Sequence, residues 1–285
     1  MRIDPTLIRR YEQRAPRYTS YPPAPHFHEE YGAAEFVEDL GASGGGTDRP
    51  LSLYLHLPFC RQLCYYCGCH MKVTSRPETV RTYLDVLKQE IDQTARLVDS
   101  DRPVVQVHWG GGTPTYLSPE QIEEAGTHLR SRFAVAPDAE WGIEADPRGL
   151  TREHLEAARK VGANRLSLGV QDFDRKVQEA INRVQPKELT DRAVGWSREL
   201  GYESLNLDLV YGLPHQDVDS FARTLEAVRA LSPDRIALFS YAHVPSIMQH
   251  QQLIPDAALP EPEEKLELFT SAVEDLTERG RYRYI

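Results

Sequence analysis

Three observations predict an α/β fold, more narrowly a partial, open (β/α)6 TIM-like barrel behind an extended N-terminal arm. Six short apolar segments alternate with six segments of helical periodicity, the pattern of a parallel sheet covered by helices. Crossovers of constant hand curl such a sheet toward a barrel. Glu144, Gln171, Asp208 and Tyr241 fall at or just past the C-terminal ends of expected strands, as do Gly110–Gly112 and the cysteines. Barrels collect their chemistry on that rim. A doubly wound open sheet is the competing arrangement, and the position of these polar residues argues against it.

Each element has its own local reason. "LSLYLHL" (51–57) is a strongly apolar strand that runs straight into a cysteine-rich loop. Residues 77–99 place Val80, Tyr83, Leu84, Leu87 and Ile91 on one helical face. "PVVQVHWG" (103–110) reads as the second strand. In the helix after it, Ser118 is the expected N-cap, with Pro119 at the first helical position. "EWGIEADP" (140–147) is the third strand, and the helix in 151–162 is closed by Gly162. Strands in "NRLSLGVQ", "SLNLDLVYGLP" and "RIALFSYAH" follow, each succeeded by a helix. The segment before the first strand differs. Four prolines in 15–27 exclude a regular helix there, and "GASGGGTDRP" (41–50) reads as a flexible linker. The expected layout is an arm and linker over 1–50, a barrel over 51–245, and a C-terminal region beginning in 246–285.

Composition narrows the function. The 285 residues carry 33 basic and 43 acidic side chains, a net charge of −10, which argues against wrapping nucleic acid. The N-terminus lacks the apolar core of a secretory signal, and no apolar run reaches membrane-spanning length. A cytoplasmic protein is therefore expected, in a compartment where structural disulfides are rare.

All four cysteines, at 60, 64, 67 and 69, lie in "PFCRQLCYYCGCH". Bridges between such close neighbours would close tiny loops and gain little stability. Zinc ribbons draw paired cysteines from two separated segments, and here there is one. A C-x3-C-x2-C loop can hold three irons of a 4Fe–4S cluster and leave the fourth open to a substrate or cofactor. The spacing favours that reading over zinc.

The loop, with "GGGTPT" after the next strand, resembles the radical S-adenosylmethionine superfamily. More narrowly, "PRYTSYP", "YLHLPFC", "CYYCGC", "HWGGGTPTYL", "GIEADPR", "SLGVQDF" and "NLDLVYGLP" in this order are similar to the oxygen-independent coproporphyrinogen III oxidase family. The resemblance covers nearly the whole chain and implies a barrel of the radical SAM type. It implies that Cys60, Cys64 and Cys67 bind a 4Fe–4S cluster whose open iron takes S-adenosylmethionine. Tyr54, Gly111, Gly112, Thr113 and Glu144 then contact S-adenosylmethionine, and Tyr66 packs against its adenine or only shields the cluster. Gln171, Arg183 and Asp208 serve a second S-adenosylmethionine, and Ala242 supplies a backbone contact to a cofactor. Taken alone, the glycines could form only a tight turn, and Arg183 could be a solvated surface residue. Cys69 is a candidate catalytic thiol outside the cluster. A related haem-binding chaperone is the alternative, but such chaperones lack this fourth cysteine and the "PRYTSYP" arm.

The reaction implied is anaerobic oxidative decarboxylation of two propionates of coproporphyrinogen III, giving protoporphyrinogen IX in haem synthesis. It needs an electron donor and an acceptor, neither identified by the sequence, and a monomer suffices. Arg9, Arg10, Arg14 and Arg17 are candidates for holding the propionates. The sequence closes on "RGRYRYI", which reads as a helix end and the start of another strand. Family members continue into a helical region, so a C-terminally truncated oxidase is expected.

Overall fold

Alternate residues of each strand in this chain are apolar, and that spacing decides which side of the sheet the helices cover. The computed structural model describes residues 26–42, 49–98 and 101–280, with single positions 4, 6, 10, 23, 282 and 283. The "PRYTSYP" segment, Arg9, Arg14 and Arg17, and most of the expected last strand lie outside the described residues. A helix, α1 (Ala33–Ala42), precedes the sheet. Six strands then form one parallel sheet in the order β1 (Leu51–Leu57), β4 (Val104–Gly111), β5 (Val135–Ala145), β6 (Arg165–Gln171), β7 (Ser204–Tyr211) and β8 (Arg235–Ser240). The short strands β2 (Phe59–Cys60) and β3 (Lys72–Val73) pair beside it.

The crossover elements are α2 (Pro77–Leu97), α3 (Pro119–Arg132), α4 (Arg152–Val161), α5 (Arg175–Ala180), α6 (Lys187–Glu199) and α7 (Val218–Leu231), with α8 (Pro262–Glu274) last. Register places Leu55 beside Trp109, Trp109 beside Ile143, Ile143 beside Leu166 and Leu166 beside Leu205. This apolar row lies in one core with Val80, Leu84, Leu87 and Ile91 of α2. Leu268 and Ala272 of α8 belong to the same core. Ser118 caps α3 in a capping box with Gln121, and Gly162 closes α4 at φ +120°.

The intervening residues form a second row: Tyr54 pairs with His108, and His108 with Gly142. Glu144 pairs with Ser167, and Ser167 with Asn206. A closed eight-stranded barrel fills its interior with layers of branched apolar side chains. Here that surface is polar, and among the described residues β1 and β8 pair only with β4 and β7.

Four features depart from the sequence reading. Helix α1 lies within the segment expected to be an irregular arm, and none of its residues is buried. The third strand begins at Val135 rather than at Glu140, because Val135 pairs with Val104 of β4 ahead of a shift in register. Helix α5 was not expected; Asp174 caps it through the amides of Lys176 and Val177. Asp208 also lies inside β7 rather than at its end.

Candidate functional site

The cysteine loop begins where β1 ends, and the glycine turn after β4 closes over the same point. Gly112 donates its amide to the Leu57 carbonyl at 2.9 Å. A Cβ on Gly112 would lie 2.7 Å from the Pro58 carbonyl, so only glycine lets the two segments meet. Gly111 adopts φ +115°, and a Cβ there would strike the His56 ring.

Side chains from distant elements hold the loop backbone. Asn182 donates to the Leu63 carbonyl at 2.8 Å, and the Tyr65 amide donates to Ile181 O at 2.9 Å. Gln251 donates to the carbonyls of Tyr66 and Ala242, and His250 Nε2 to Cys67 O at 2.7 Å. Tyr65 and Tyr66 pack on a small core of Val177, Ile181, Val210, Leu213, Tyr241 and Ile254. Nine-residue spacing along the chain could not hold a thiol in place alone; these contacts fix where each one points.

All four thiols are free, and their surroundings differ. Cys64 is buried, and two guanidinium groups donate to its sulfur: Arg148 Nη2 at 3.4 Å and Arg183 Nη1 at 3.7 Å. Cys60 Sγ lies 3.7 Å from Thr113 Oγ1. Burial pushes the Cys60 thiol up, and the Thr113 hydrogen bond partly offsets this. Cys67 Sγ accepts the Cys69 amide at 3.4 Å. The Cys67 and Cys69 thiols also share a hydrogen bond, which lowers Cys69 and raises Cys67. Each of Cys60, Cys64 and Cys67 thus has a donor against its sulfur, the setting a metal-bound thiolate requires. The donor set fits an iron–sulfur cluster.

Behind Cys64, Asp146 accepts from Arg148 at 2.6 Å and from Arg183 at 2.9 Å. Burial alone would raise Asp146, but the two guanidinium groups hold it down at about 2. A cavity of about 210 Å³ opens beside this group, lined in part by Cys60, Thr113, Thr115, Asp146 and Arg148. The buried Thr115 hydroxyl has no hydrogen-bond partner.

On the polar face, Tyr54 is 58% exposed and stacks on His108 at 5.9 Å. Its hydroxyl meets His56 Nδ1 at 3.0 Å. His108 Nε2 lies 3.1 Å from Glu144 Oε1. Asp208 accepts from Ser167 and Asn206. Burial first, and the nearby Glu144 second, push its carboxyl up to about 6, while those hydrogen bonds work the other way. Gln171 closes β6 at φ +67°, a left-handed conformation that costs energy for a side chain larger than glycine. Such strain concentrates at functional positions.

The structure therefore gathers Tyr54, Glu144 and Asp208 on the open polar face. Gly111, Gly112, Thr113 and Tyr66 lie with the cysteine loop, and Ala242 is tied to it through Gln251. Arg183 is 7% exposed and points at Cys64, Asp146 and the Gly169 carbonyl rather than into solvent. Sequence reading passed over Asp146 and Arg148, although both lie in the quoted "GIEADPR". It also missed His108, which meets Glu144 on the polar face, and Asn182, His250 and Gln251; no local pattern marks a residue that acts, as these last three do, by reaching a loop over a hundred positions away.

An open parallel sheet with a three-cysteine loop at its rim and a glycine turn beside it defines a class. The family model of the radical SAM superfamily matches residues 54–228, and the chain belongs to that superfamily. Its members work with a 4Fe–4S cluster and S-adenosylmethionine. The chain is 46% identical over 282 residues to the oxygen-independent coproporphyrinogen III oxidase of Escherichia coli, covering 99% of this chain and 61% of that protein. It is 43% identical over 274 residues to the enzyme of the same name from Synechocystis, covering 96% of this chain and 59% of that protein. The crystal structure of the Escherichia coli coproporphyrinogen III oxidase, a radical SAM enzyme, superimposes with a TM-score of 0.89 at 45% identity, covering 96% of this chain and 61% of that one. The chain thus spans about 60% of the length of these relatives.

Proposed function

We propose that this chain carries the radical-generating core of an oxygen-independent coproporphyrinogen III oxidase. The observation that carries the reading is the donor-flanked set of Cys60, Cys64 and Cys67, held against the Gly111–Thr113 turn. Cys60, Cys64 and Cys67 would hold a 4Fe–4S cluster, which when bound would supply the electron for reductive cleavage of S-adenosylmethionine to methionine and a 5′-deoxyadenosyl radical. The residues of the chain bind and orient. Gly111, Gly112 and Thr113 bring backbone to the amino-acid end of the cofactor, and Tyr54, Tyr66 and Glu144 hold the rest. Gln171, Arg183 and Asp208 are assigned to a second S-adenosylmethionine, and Ala242 to a backbone contact with a cofactor. Asp208, with its carboxyl raised to about 6, is still ionised at neutral pH and can accept from ribose hydroxyls or face a sulfonium.

In the proposed reaction a hydrogen atom would pass from the β-carbon of a propionate to the 5′-deoxyadenosyl radical, giving 5′-deoxyadenosine. The carboxylate would then leave as carbon dioxide, one electron would go to the acceptor, and a vinyl group would remain. Two such events convert coproporphyrinogen III to protoporphyrinogen IX, with an electron donor and an acceptor as further partners. Cys69, exposed and beside Cys67, is the candidate thiol for the substrate side. The arm (1–50) and the region from 246 onward are assigned to covering the barrel (51–245). The reading carries a cytoplasmic, monomeric protein with it. Its free thiols suit a reducing compartment, and no described helix is long and apolar enough to cross a membrane.

Anaerobic iron–sulfur reconstitution, reduction with dithionite and addition of S-adenosylmethionine test the first half. Methionine and 5′-deoxyadenosine should form, and Cys60→Ala should abolish both; an iron-replete sample that leaves S-adenosylmethionine intact contradicts the proposal. Coproporphyrinogen III added to the same assay tests the substrate. For a chain that spans about 60% of the length of its relatives, 5′-deoxyadenosine formed without matching release of carbon dioxide is expected. Full conversion of the porphyrinogen by these 285 residues would contradict that expectation while leaving the cleavage chemistry standing.

A further inference from the structure

The residues assigned to cofactors leave one buried charged group unexplained, behind Cys64. Arg148 lies two residues after Asp146 and chelates it, with Nε at 3.0 and 3.1 Å from the two carboxylate oxygens and Nη2 at 2.6 Å from Oδ2. Its backbone amide donates to the same carboxylate at 3.0 Å. This double hold fixes the plane of the guanidinium, and its Nη2 edge then meets Cys64 Sγ at 3.4 Å. Arg183 donates to the same Oδ2 from the other side at 2.9 Å and to the same sulfur at 3.7 Å. Arg148, Asp146 and Arg183 are only 17%, 16% and 7% exposed.

Charge counting gives the group a meaning. Two guanidinium groups and one carboxylate leave one positive charge uncompensated in a poorly solvated place. A cysteine that binds metal does so as a thiolate, and the Cys64 sulfur is the atom both cations face. With a thiolate there the group closes to neutrality, which is the condition for burying charges at tolerable cost.

We propose that Arg148 is a positioning residue for the cluster. It orients the Cys64 sulfur by a charge-assisted hydrogen bond and, together with Arg183 across Asp146, raises the electron affinity of the iron that this sulfur holds. The inference rests on the cluster reading above and deepens it. Hydrogen bonds and positive charge at a cluster sulfur favour the reduced, more negative state, so they raise the reduction potential. Arg183 contributes as well, but it also holds the Gly169 carbonyl and is assigned to a cofactor. Arg148 has one further contact, Nη1 to the Gln62 side chain of the cysteine loop at 3.5 Å, is assigned to no cofactor, and is the residue to substitute.

The test is a redox titration of the reconstituted 285-residue chain, followed by electron paramagnetic resonance, with iron content measured on every sample. Arg148→Gln should load iron and show a lower potential. At a fixed poise its reduced-to-oxidised ratio should fall about tenfold, which for one electron corresponds to about 59 mV. Arg148→Lys keeps the charge but cannot span Asp146 and Cys64 at once, so it should move the same way by less. An iron-replete Arg148→Gln with the wild-type potential overturns the proposal. If the glutamine variant takes up no iron, the lysine variant decides: a lowered potential supports the proposal and an unchanged one overturns it. A wild-type chain that takes up no iron would instead overturn the cluster reading itself.

Discussion

The two faces of the sheet are made by alternate residues of the same strands, yet they obey different rules. On the helix-covered face, Leu55, Trp109, Ile143, Leu166 and Leu207 are each no more than 5% exposed and share one core. On the other face Tyr54 is more than half exposed, and His108, Glu144 and Asp208 spend their hydrogen bonds on one another and on their neighbours. The first face holds the fold together. The second is free to be polar because the first already supplies the burial, and the difference predicts which substitutions unfold the chain and which only disarm it.

The largest effect should come from the covered face. Leu207→Ala removes a fully buried side chain and should cost about 2–5 kcal/mol of stability. Chemical denaturation measures it, and S-adenosylmethionine affinity of the folded fraction should be unchanged. On the polar face, Glu144→Ala should do the reverse. Loss of a hydrogen bond to a charged group should weaken S-adenosylmethionine binding by about 1.5–3 kcal/mol, with little change in the denaturation midpoint. Equal losses of stability from both variants would erase the distinction between the faces. Gly112→Ala tests the seam between β1 and the glycine turn. Its Cβ meets backbone rather than a flexible side chain, so the turn must shift, at about 1–3 kcal/mol. Binding of S-adenosylmethionine should fall together with stability, which calorimetry on a reconstituted sample can separate.

The smallest effect is a pH dependence. The Asp208 carboxyl is raised from its ordinary value to about 6, so the fold favours the protonated form. That contribution to stability is complete below the unfolded value near 4 and is lost as pH rises through about 6. Wild type should therefore gain thermal stability from pH 7.5 to pH 5 relative to Asp208→Asn. Identical slopes for the two proteins in thermal scans would show that burial does not disfavour the carboxylate.

The sequence made the covered face legible, because alternation in strands and 3.6-residue spacing in helices are direct records of burial. The spacing of Val80, Leu84, Leu87 and Ile91 and the Ser118 cap are examples that the structure repeats. The cysteine loop was legible for a different reason, since its residue types are rare and its spacing is chemically specific. What could not be read was everything that depends on long reach. Asn182 and Gln251 touch the loop across 119 and 185 positions, and an amide side chain carries no mark of such a task. The ion group of Asp146, Arg148 and Arg183 was hidden for the same reason. Charged residues usually lie in solvent, and only the closing of β5 against the loop after α5 buries these. Helix α1 was missed because the prolines before it and the glycines after it outweigh a short helical stretch.

The central claim is that Cys60, Cys64 and Cys67 alone hold an iron–sulfur cluster, with Cys69 beside them but outside it. Iron and sulfide content with the visible spectrum, after anaerobic reconstitution of wild type, Cys60→Ala and Cys69→Ala, tests it most directly. The expected result is a brown chromophore in wild type, its loss in Cys60→Ala, and its retention in Cys69→Ala. Equal loss of iron in the two variants would contradict the three-thiol site and require all four cysteines to share the metal.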